Sequence, residues 1–267
     1  MARTRFLLSL INFLVAGQCY CMAAAETNIL TDQSSLLSLK SSITHDPENS
    51  LANWSNSTFV CNWTGVTCAH VHQNHLRVES LNLSHKGLVG TIPPHLGNLS
   101  LLVNLSARNN SFHGILPNEL SRLSQLIYIN FESNDLTGKI PSWLGSLSKL
   151  AKLFLQDNRF SGSIPASICN STSLEKINLS ENQISGSIPK NIGNLTLLKE
   201  LDLYSNKIEG VLCLKTPGSI LTTNKKPLGV AAPKCKVFDF PLQILVKIHP
   251  RVGDFALISF ANTGKTS

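Results

Sequence analysis

Prolines recur at a constant interval of 24 residues through the middle of this sequence, as Pro93, Pro117, Pro141, Pro165 and Pro189. A glycine column from Gly90 to Gly210 and an asparagine column from Asn110 to Asn206 keep the same interval. A constant period of this length is typical of a solenoid, in which each repeat is one small structural unit that stacks on its neighbours. The repeat therefore constrains the fold more strongly than any local feature of the chain.

The repeated unit reads LxxLxLxxNxLxGxIPxxLGxLxx and is clearest in the 24 residues LAKLFLQDNRFSGSIPASICNSTS that begin at Leu150. Leu153 and Leu155 alternate with polar or exposed positions, which predicts a short strand with one buried face. Stacked repeats then form a parallel sheet over one continuous leucine core. We expect the Asn158 amide to satisfy backbone groups at the turn, Gly162 to adopt an angle that a side chain forbids, and Pro165 to end local pairing.

This unit resembles the plant-type leucine-rich repeat, and the Leu-x-Gly-x-Ile-Pro half distinguishes that class from other leucine-rich repeats. The resemblance covers residues 31–212 and implies an α/β fold, a leucine-rich repeat solenoid with a curved parallel sheet of about six repeats and a disulfide-bonded amino-terminal cap. The segment LNLSHKGLVGTIPPHLGNLSLL is most similar to the receptor kinases that sense bacterial peptides.

The segments TDQSSLLSLKSSITHDPENSLANW and CNWTGVTC resemble the amino-terminal cap of plant receptor ectodomains. Asp32 is predicted to cap an amphipathic helix. That helix should bury Leu36, Leu39 and Ile43. Trp54 and Trp63 should cover the core of the first repeat, and the resemblance implies a disulfide between Cys61 and Cys68.

The amino-terminal segment reads as a secretory signal, because an apolar run from Phe6 to Ala16 is followed by small residues at positions 23–25. A membrane anchor is the alternative, but the run is shorter than the roughly 20 apolar residues that a span needs. The predicted organisation is a signal peptide at 1–25, a cap at 26–75, about six repeats at 76–212 with the last incomplete, and a non-repeat tail at 213–267.

Secretion makes the asparagine sequons candidate glycosylation sites. They are Asn53, Asn56, Asn62, Asn82, Asn98, Asn104, Asn109, Asn170, Asn178 and Asn194. The net charge of +7 does not indicate a nucleic-acid partner, because the excess lies in the signal segment and in the tail after Cys213 while the body is near neutral.

Receptors of this family bind ligands on the exposed strand positions, so the resemblance implies that the binding residues lie there. Aromatic and charged side chains at those positions are the candidates, since such residues tend to anchor interfaces. They are Arg108, Tyr128, Glu132, Lys152, Phe154, Gln156 and Tyr204. The alternative is a solvated face with scattered aromatics. Sequons at Asn82, Asn104, Asn109 and Asn178 would leave a glycan-free window from Tyr128 to Gln156.

No catalytic or metal-binding set is predicted. Cys68, His70, His72 and His75 are close in sequence, but Cys68 is needed for the cap disulfide and the histidines fall in a polar link. No protein-kinase motifs are found, and Cys169 occupies a glycine position of the sister repeats, which favours a partly buried free thiol over a nucleophile. We therefore expect no enzyme activity, no cofactor and no metal.

The pattern breaks at Cys213, which stands where the sixth repeat should have its proline. One interpretation is a nonstandard end of the coding sequence, and the other is a carboxy-terminal cap in which Cys213 bonds Cys235. We favour the first, because the apolar blocks FPLQILVKI and FALISF do not resemble a cap with a polar outer face.

The predicted function is that of a secreted, non-enzymatic module that binds a peptide or protein, as in a receptor-kinase ectodomain of defence or developmental signalling. Its partners would be a peptide or protein ligand or a receptor-kinase ectodomain, with no nucleic acid and no transmembrane span in this chain. The alternatives are a secreted inhibitor of microbial wall-degrading enzymes and a non-functional truncated product.

Overall fold

The structure is a computed structural model that describes residues 28–71 and 75–208, together with three strands farther along the chain. The helix and the strands of its first half are α1 (Ile29–Ser41), β1 (Ile43–His45), β2 (Val66–Val71), β3 (His75–Asn82), β4 (Val89–Thr91), β5 (Asn104–Ser106), β6 (Ser111–Gly114), β7 (Tyr128–Asn130) and β8 (Asp135–Lys139). The later strands are β9 (Lys152–Phe154), β10 (Arg159–Gly162), β11 (Lys176–Asn178), β12 (Gln183–Gly186), β13 (Glu200–Asp202), β14 (Lys207–Ile208), β15 (Leu212–Leu214), β16 (Lys236–Phe238) and β17 (Leu245–Lys247).

An eight-stranded sheet runs the length of the repeats in the order β17-β13-β11-β9-β7-β5-β3-β2. Each repeat strand pairs in parallel with the strand one repeat away, as in the pairing of Ile129 with Leu153. Leu153 and Leu155 are fully buried, and the core they belong to extends from the cap to Leu203. The predicted strand and the predicted parallel leucine core are confirmed.

The opposite side of each repeat holds a short 3₁₀ helix that follows the repeat's proline. These helices span Pro94–Asn98, Asn118–Arg122, Ser142–Ser146, Ala166–Asn170 and Ile192–Asn194. Between strand and helix, a second sheet of seven strands has the order β1-β4-β6-β8-β10-β12-β14. The sequence did not predict this second sheet.

The asparagine column stabilises the turn after each strand of the first sheet. Asn158 donates from Nδ2 to the carbonyls of Phe131, Leu155 and Gln156, and its Oδ1 accepts the Leu136 N–H at 3.0 Å. The predicted role of Asn158 is therefore confirmed. Gly162 has a φ of +73°, as expected for a position at which a side chain is unfavourable.

The cap helix α1 begins differently from the prediction. The residue that caps it is Asn28, whose Oδ1 accepts the N–H groups of Leu30 and Thr31 at 3.0 and 3.1 Å. The prediction that Asp32 caps the helix is wrong, because Asp32 lies one turn inside it and faces the first repeat. The buried Asp32 carboxylate accepts Arg77 Nε at 2.8 Å, Arg77 Nη2 at 2.9 Å and the Val78 N–H at 2.9 Å.

The other cap predictions are confirmed with one exception. Leu36 and Leu39 are buried, but Ile43 lies beyond the helix in β1 and is partly buried there. Trp54 and Trp63 are buried and stacked, with ring centroids 5.3 Å apart. Cys61 and Cys68 form the implied disulfide, with their Cα atoms 5.5 Å apart.

The tail contributes a strand to the end of the first sheet. β17 pairs in parallel with β13, with Glu200 opposite Leu245 and Asp202 opposite Lys247, while β15 and β16 pair with each other. The predicted signal segment lies outside the described residues, as does Cys235, the proposed partner of Cys213. Within the described ranges, no helix is long and apolar enough to cross a membrane.

Candidate functional site

The exposed positions of the eight-stranded sheet form one surface, which we call the strand face. Parallel pairing in register places equivalent residues of successive repeats side by side, about 4.8 Å apart. One column runs through Tyr128, Lys152, Lys176 and Glu200, and the next through Asn130, Phe154, Asn178 and Asp202. All seven candidate binding residues belong to these columns or to a third column two residues farther along each strand.

Tyr128 and Phe154 form an aromatic pair at the centre of the strand face. Their ring centroids are 5.8 Å apart and the rings are tilted by 55°. The Tyr128 hydroxyl accepts a hydrogen bond from Asn130 Nδ2 at 2.9 Å, which orients the phenol. Both side chains are half-buried, so the pair offers an apolar surface with a defined geometry.

The charged candidates differ in whether they have a partner. Arg108 Nη2 lies 3.1 Å from Glu132 Oε1, so these two candidates neutralise each other across neighbouring repeats. Lys176 Nζ lies 3.1 Å from Glu200 Oε2 in the same way. Lys152 stands between these two pairs and is exposed, and in the part of the chain that the structure describes it forms no ion pair.

The remaining candidates flank the aromatic pair at different distances. Gln156 lies two residues beyond Phe154, and its Oε1 is buried without a hydrogen-bond partner. Tyr204 is 44% exposed and lies two repeats beyond Gln156 in the same column, which is about 10 Å away. The structure therefore brings Tyr128, Lys152, Phe154 and Gln156 together, places Arg108 and Glu132 beside them, and leaves Tyr204 apart.

A shallow depression at the start of the strand face was not predicted. It encloses about 470 Å³ and is lined by Ser80, Leu81, Asn82, Ser84, His85, Asn104, Ser106, Arg108, Tyr128 and Asn130. The small side chains of the first two repeats leave this space beside Tyr128. The signal in the sequence was the run of serine and asparagine at exposed strand positions, in contrast to the larger residues of later repeats.

The sequons lie on two sides of the solenoid. Asn82, Asn104 and Asn178 are on the strand face, and Asn109 Nδ2 contacts His85 Nδ1 at 2.9 Å at its edge. Asn98, Asn170 and Asn194 lie in 3₁₀ helices on the opposite side. Asn53, Asn56 and Asn62 belong to the cap, where Asn53 also accepts the Thr64 N–H at 3.2 Å. Glycosylation at all ten positions stays a prediction.

Two other features bear on the chemistry of the surface. Cys169 is a buried free thiol, and burial raises its pKa to about 11, so it is a neutral packing residue at physiological pH. Within residues 28–71 and 75–208, no cluster of three or more histidine, cysteine or acidic side chains could hold a metal ion. His72 lies outside those ranges.

Three protein-family models match the chain, over four segments. Residues 29–69 match the leucine rich repeat N-terminal domain, and residues 77–99, 125–147 and 148–208 match leucine rich repeats. Among curated proteins, the chain is 43% identical over 83 residues to the LRR receptor-like serine/threonine-protein kinase EFR of Arabidopsis thaliana. The match covers 31% of this chain and only 8% of that kinase.

Solved structures extend the similarity to about two thirds of the chain. A chain in the BIR3–SERK2 complex of Arabidopsis thaliana is 32% identical with a TM-score of 0.59, and the match covers 67% of this chain and 95% of that one. The ectodomain of the Arabidopsis receptor kinase HAESA, in complex with an extended IDA peptide hormone, is 34% identical with a TM-score of 0.60. That match covers 71% of this chain and 31% of the HAESA chain. The chain therefore belongs to the plant leucine-rich repeat family, and its cap and repeats are similar to those of plant receptor-kinase ectodomains.

Proposed function

We propose that this chain is an extracellular, glycosylated and non-enzymatic module that binds a peptide or a partner ectodomain on its strand face, in defence or developmental signalling. The aromatic pair of Tyr128 and Phe154 is the observation that carries the proposal. The HAESA ectodomain holds a peptide hormone, and the BIR3–SERK2 structure is a complex of two proteins. Both kinds of partner are therefore compatible with this type of module.

The aromatic pair has the physical properties of an anchor. Half-buried aromatic rings supply a large contact area and lose little conformational entropy when a ligand covers them. Asn130 holds the Tyr128 ring through its hydroxyl, so part of the ordering cost of binding is already met. The neighbouring Asn130 and Asn178 flank Phe154 on the two adjacent strands, which makes the apolar surface narrow and bordered by polar groups.

The predicted glycans support the same location. Occupied sequons at Asn82 and Asn104 would cover the depression in the first two repeats. An occupied sequon at Asn178 would border Phe154 on its other side. The surface from Tyr128 to Gln156 lies between these positions, which is why we place the ligand there. Glycopeptide mapping that finds Asn82, Asn104, Asn109 and Asn178 all unmodified would remove this part of the argument.

The proposal is tested by selecting ligands for the protein itself. The secreted, glycosylated protein is immobilised and used to select from a displayed library of random dodecapeptides, and the affinity of the selected peptides is measured by calorimetry. We expect the Y128N/F154N double variant to weaken binding at least about tenfold, since a buried aromatic anchor contributes 2 kcal/mol or more. Asparagine is chosen because sister repeats already have it at these positions. Asn104 is equivalent to Tyr128, and Asn130 and Asn178 are equivalent to Phe154.

The control is Phe59→Ser, which removes an aromatic side chain of the cap that is 49% exposed. This variant should bind the selected peptides as the wild-type protein does, because Phe59 is not part of the strand face. If the selection returns no peptides, the proposal of a peptide ligand is wrong. If the Phe59→Ser and Y128N/F154N variants bind equally well, the proposed binding surface is wrong.

A further inference from the structure

The charges around the aromatic pair are unevenly distributed. Arg108 and Lys176 are neutralised by carboxylates of the next repeat, at 3.1 Å in each case. Lys152, between them in the sheet and next to Tyr128, makes no ion pair in residues 28–71 and 75–208. Lys152 is therefore the cation beside the aromatic pair with which a ligand could pair without breaking an existing ion pair.

Other lysines near Lys152 add to this positive charge. Glu175 Oε2 accepts a hydrogen bond from Lys199 at 2.7 Å, and this contact lowers the pKa of Glu175, with further attraction from Lys152 and Lys176. Lys149 donates to the amide oxygen of Gln125 rather than to a carboxylate. Lys152, Lys176 and Lys199 thus all attract Glu175, and this side of the strand face has more cations than carboxylates to pair with them.

The strand that carries Lys152 presents two different groups on the strand face. Residues two apart on one face of a strand are separated by about 6.6 Å. Lys152 and Phe154 therefore offer a cation and an apolar ring at that spacing. An extended peptide presents its own side chains on one face with the same spacing.

We propose that the strand face recognises an extended peptide that carries an acidic side chain and an aromatic or large aliphatic side chain two residues apart. The carboxylate pairs with Lys152, and the apolar side chain covers Tyr128 and Phe154. This inference rests on the proposed function, since it names the chemistry of the ligand for the same surface.

The test is the sequence composition of the selected peptides, compared between the wild-type protein and Lys152→Glu. Glutamate is tolerated at this position, because Glu200 fills it in the sixth repeat. We expect the wild-type protein to enrich an acidic residue two positions from an apolar one. We expect Lys152→Glu to lose that enrichment, to favour basic residues, and to bind the wild-type peptides about tenfold or more weakly.

The matched control is Lys190→Glu, which makes the same charge change at an exposed position outside the strand face. It should select the same peptides as the wild-type protein. Peptides that require Tyr128 and Phe154 but show no acidic preference would overturn this inference and leave the proposed function standing. An identical shift in Lys190→Glu and Lys152→Glu would also overturn it, because the preference would then reflect net charge alone.

Discussion

At the residue scale, one asparagine in each repeat connects that repeat to the one before it. The sequence predicted that the Asn158 amide would satisfy backbone groups of its own turn, and it donates to Leu155 and Gln156 as expected. Its other partners, the Phe131 carbonyl and the Leu136 N–H, belong to the preceding repeat. This second role could not be predicted from a single repeat, because it depends on how the repeats stack.

Substitution of Asn158 should therefore destabilise the contact between two repeats as well as its own turn. In Asn158→Ala, the Leu136 N–H loses its acceptor in a largely buried place, while the carbonyls of Phe131, Leu155 and Gln156 each lose one donor and keep another. We therefore expect the free energy of unfolding to fall by about 2 kcal/mol. The control is Gln183→Ala, an exposed residue of β12 that should change stability by less than about 0.5 kcal/mol. Urea unfolding of both variants is the measurement, and equal midpoints for the two would contradict the inter-repeat role of Asn158.

A second residue column was not predicted. The residue before each turn asparagine has a positive φ near 55° although none of them is glycine, and these residues are Asn109, Ser133, Asp157, Glu181 and Ser205. His85 has the same conformation at the equivalent position of the first repeat, where Lys86 replaces the asparagine. Residue type gave no common signal, since only some of these amino acids favour the left-handed region. The conformation is imposed by the pairing on either side, as in the Glu181 N–H that donates to the Tyr204 carbonyl at 2.8 Å.

At the element scale, the sequence predicted the strands of the first sheet but not those of the second. The first strand of each repeat belongs to a stretch with two buried apolar residues in alternation, such as Leu153 and Leu155, and was predicted. The second has a single buried side chain, such as Phe160 in β10, which is too short a pattern to indicate a strand. Its hydrogen bonds go to β8 and β12 in neighbouring repeats, so only the stacking of repeats makes it a strand.

The contact between successive 3₁₀ helices depends on a glycine that carries no unusual φ. A Cβ on Gly145 would lie 1.9 Å from the Ser167 carbonyl oxygen, and the clash is with backbone. Cys169 occupies the equivalent position of the next repeat, and the helix that follows it, Ile192–Asn194, has three residues where the four before it have five. The repeat that has Cys169 in place of the glycine is thus the one that precedes the shorter helix.

Alanine at these two positions should have opposite consequences for packing. We expect Gly145→Ala to lower the free energy of unfolding by about 2 kcal/mol or more, because the added methyl group forces two backbones apart. Cys169→Ala removes one buried sulfur and should cost about 1 kcal/mol. Thermal unfolding followed by circular dichroism compares them, and a Gly145→Ala variant as stable as Cys169→Ala would show that the helices can separate freely.

At the scale of the whole molecule, the solenoid is terminated by different means at its two described ends. At the first end, the buried ion pair of Asp32 and Arg77 joins α1 to β3, and Trp54 stacks on Trp63 in the cap. The sequence predicted which tryptophans cover the core but assigned Asp32 to the helix end, since a pairing over 45 residues leaves no local pattern. The sequence identified the candidate binding residues by their position in the repeat. Which of them contact each other depends on the register between strands, which the sequence alone did not predict.

The second end of the first sheet is covered by β17 from the tail. β13 has hydrogen-bonding neighbours on both sides, with Leu201 opposite Ile177 on one side and opposite Val246 on the other. We expect the variant with proline at all three positions 245–247 to lose this strand, because proline has no N–H to donate. Amide hydrogen exchange should then accelerate at Glu200–Asp202 and stay unchanged at Tyr128–Asn130 in the middle of the sheet. Unchanged protection at Glu200–Asp202 would mean that the tail strand does not cover this edge in solution, and faster exchange in both segments would mean that the substitutions destabilise the whole solenoid.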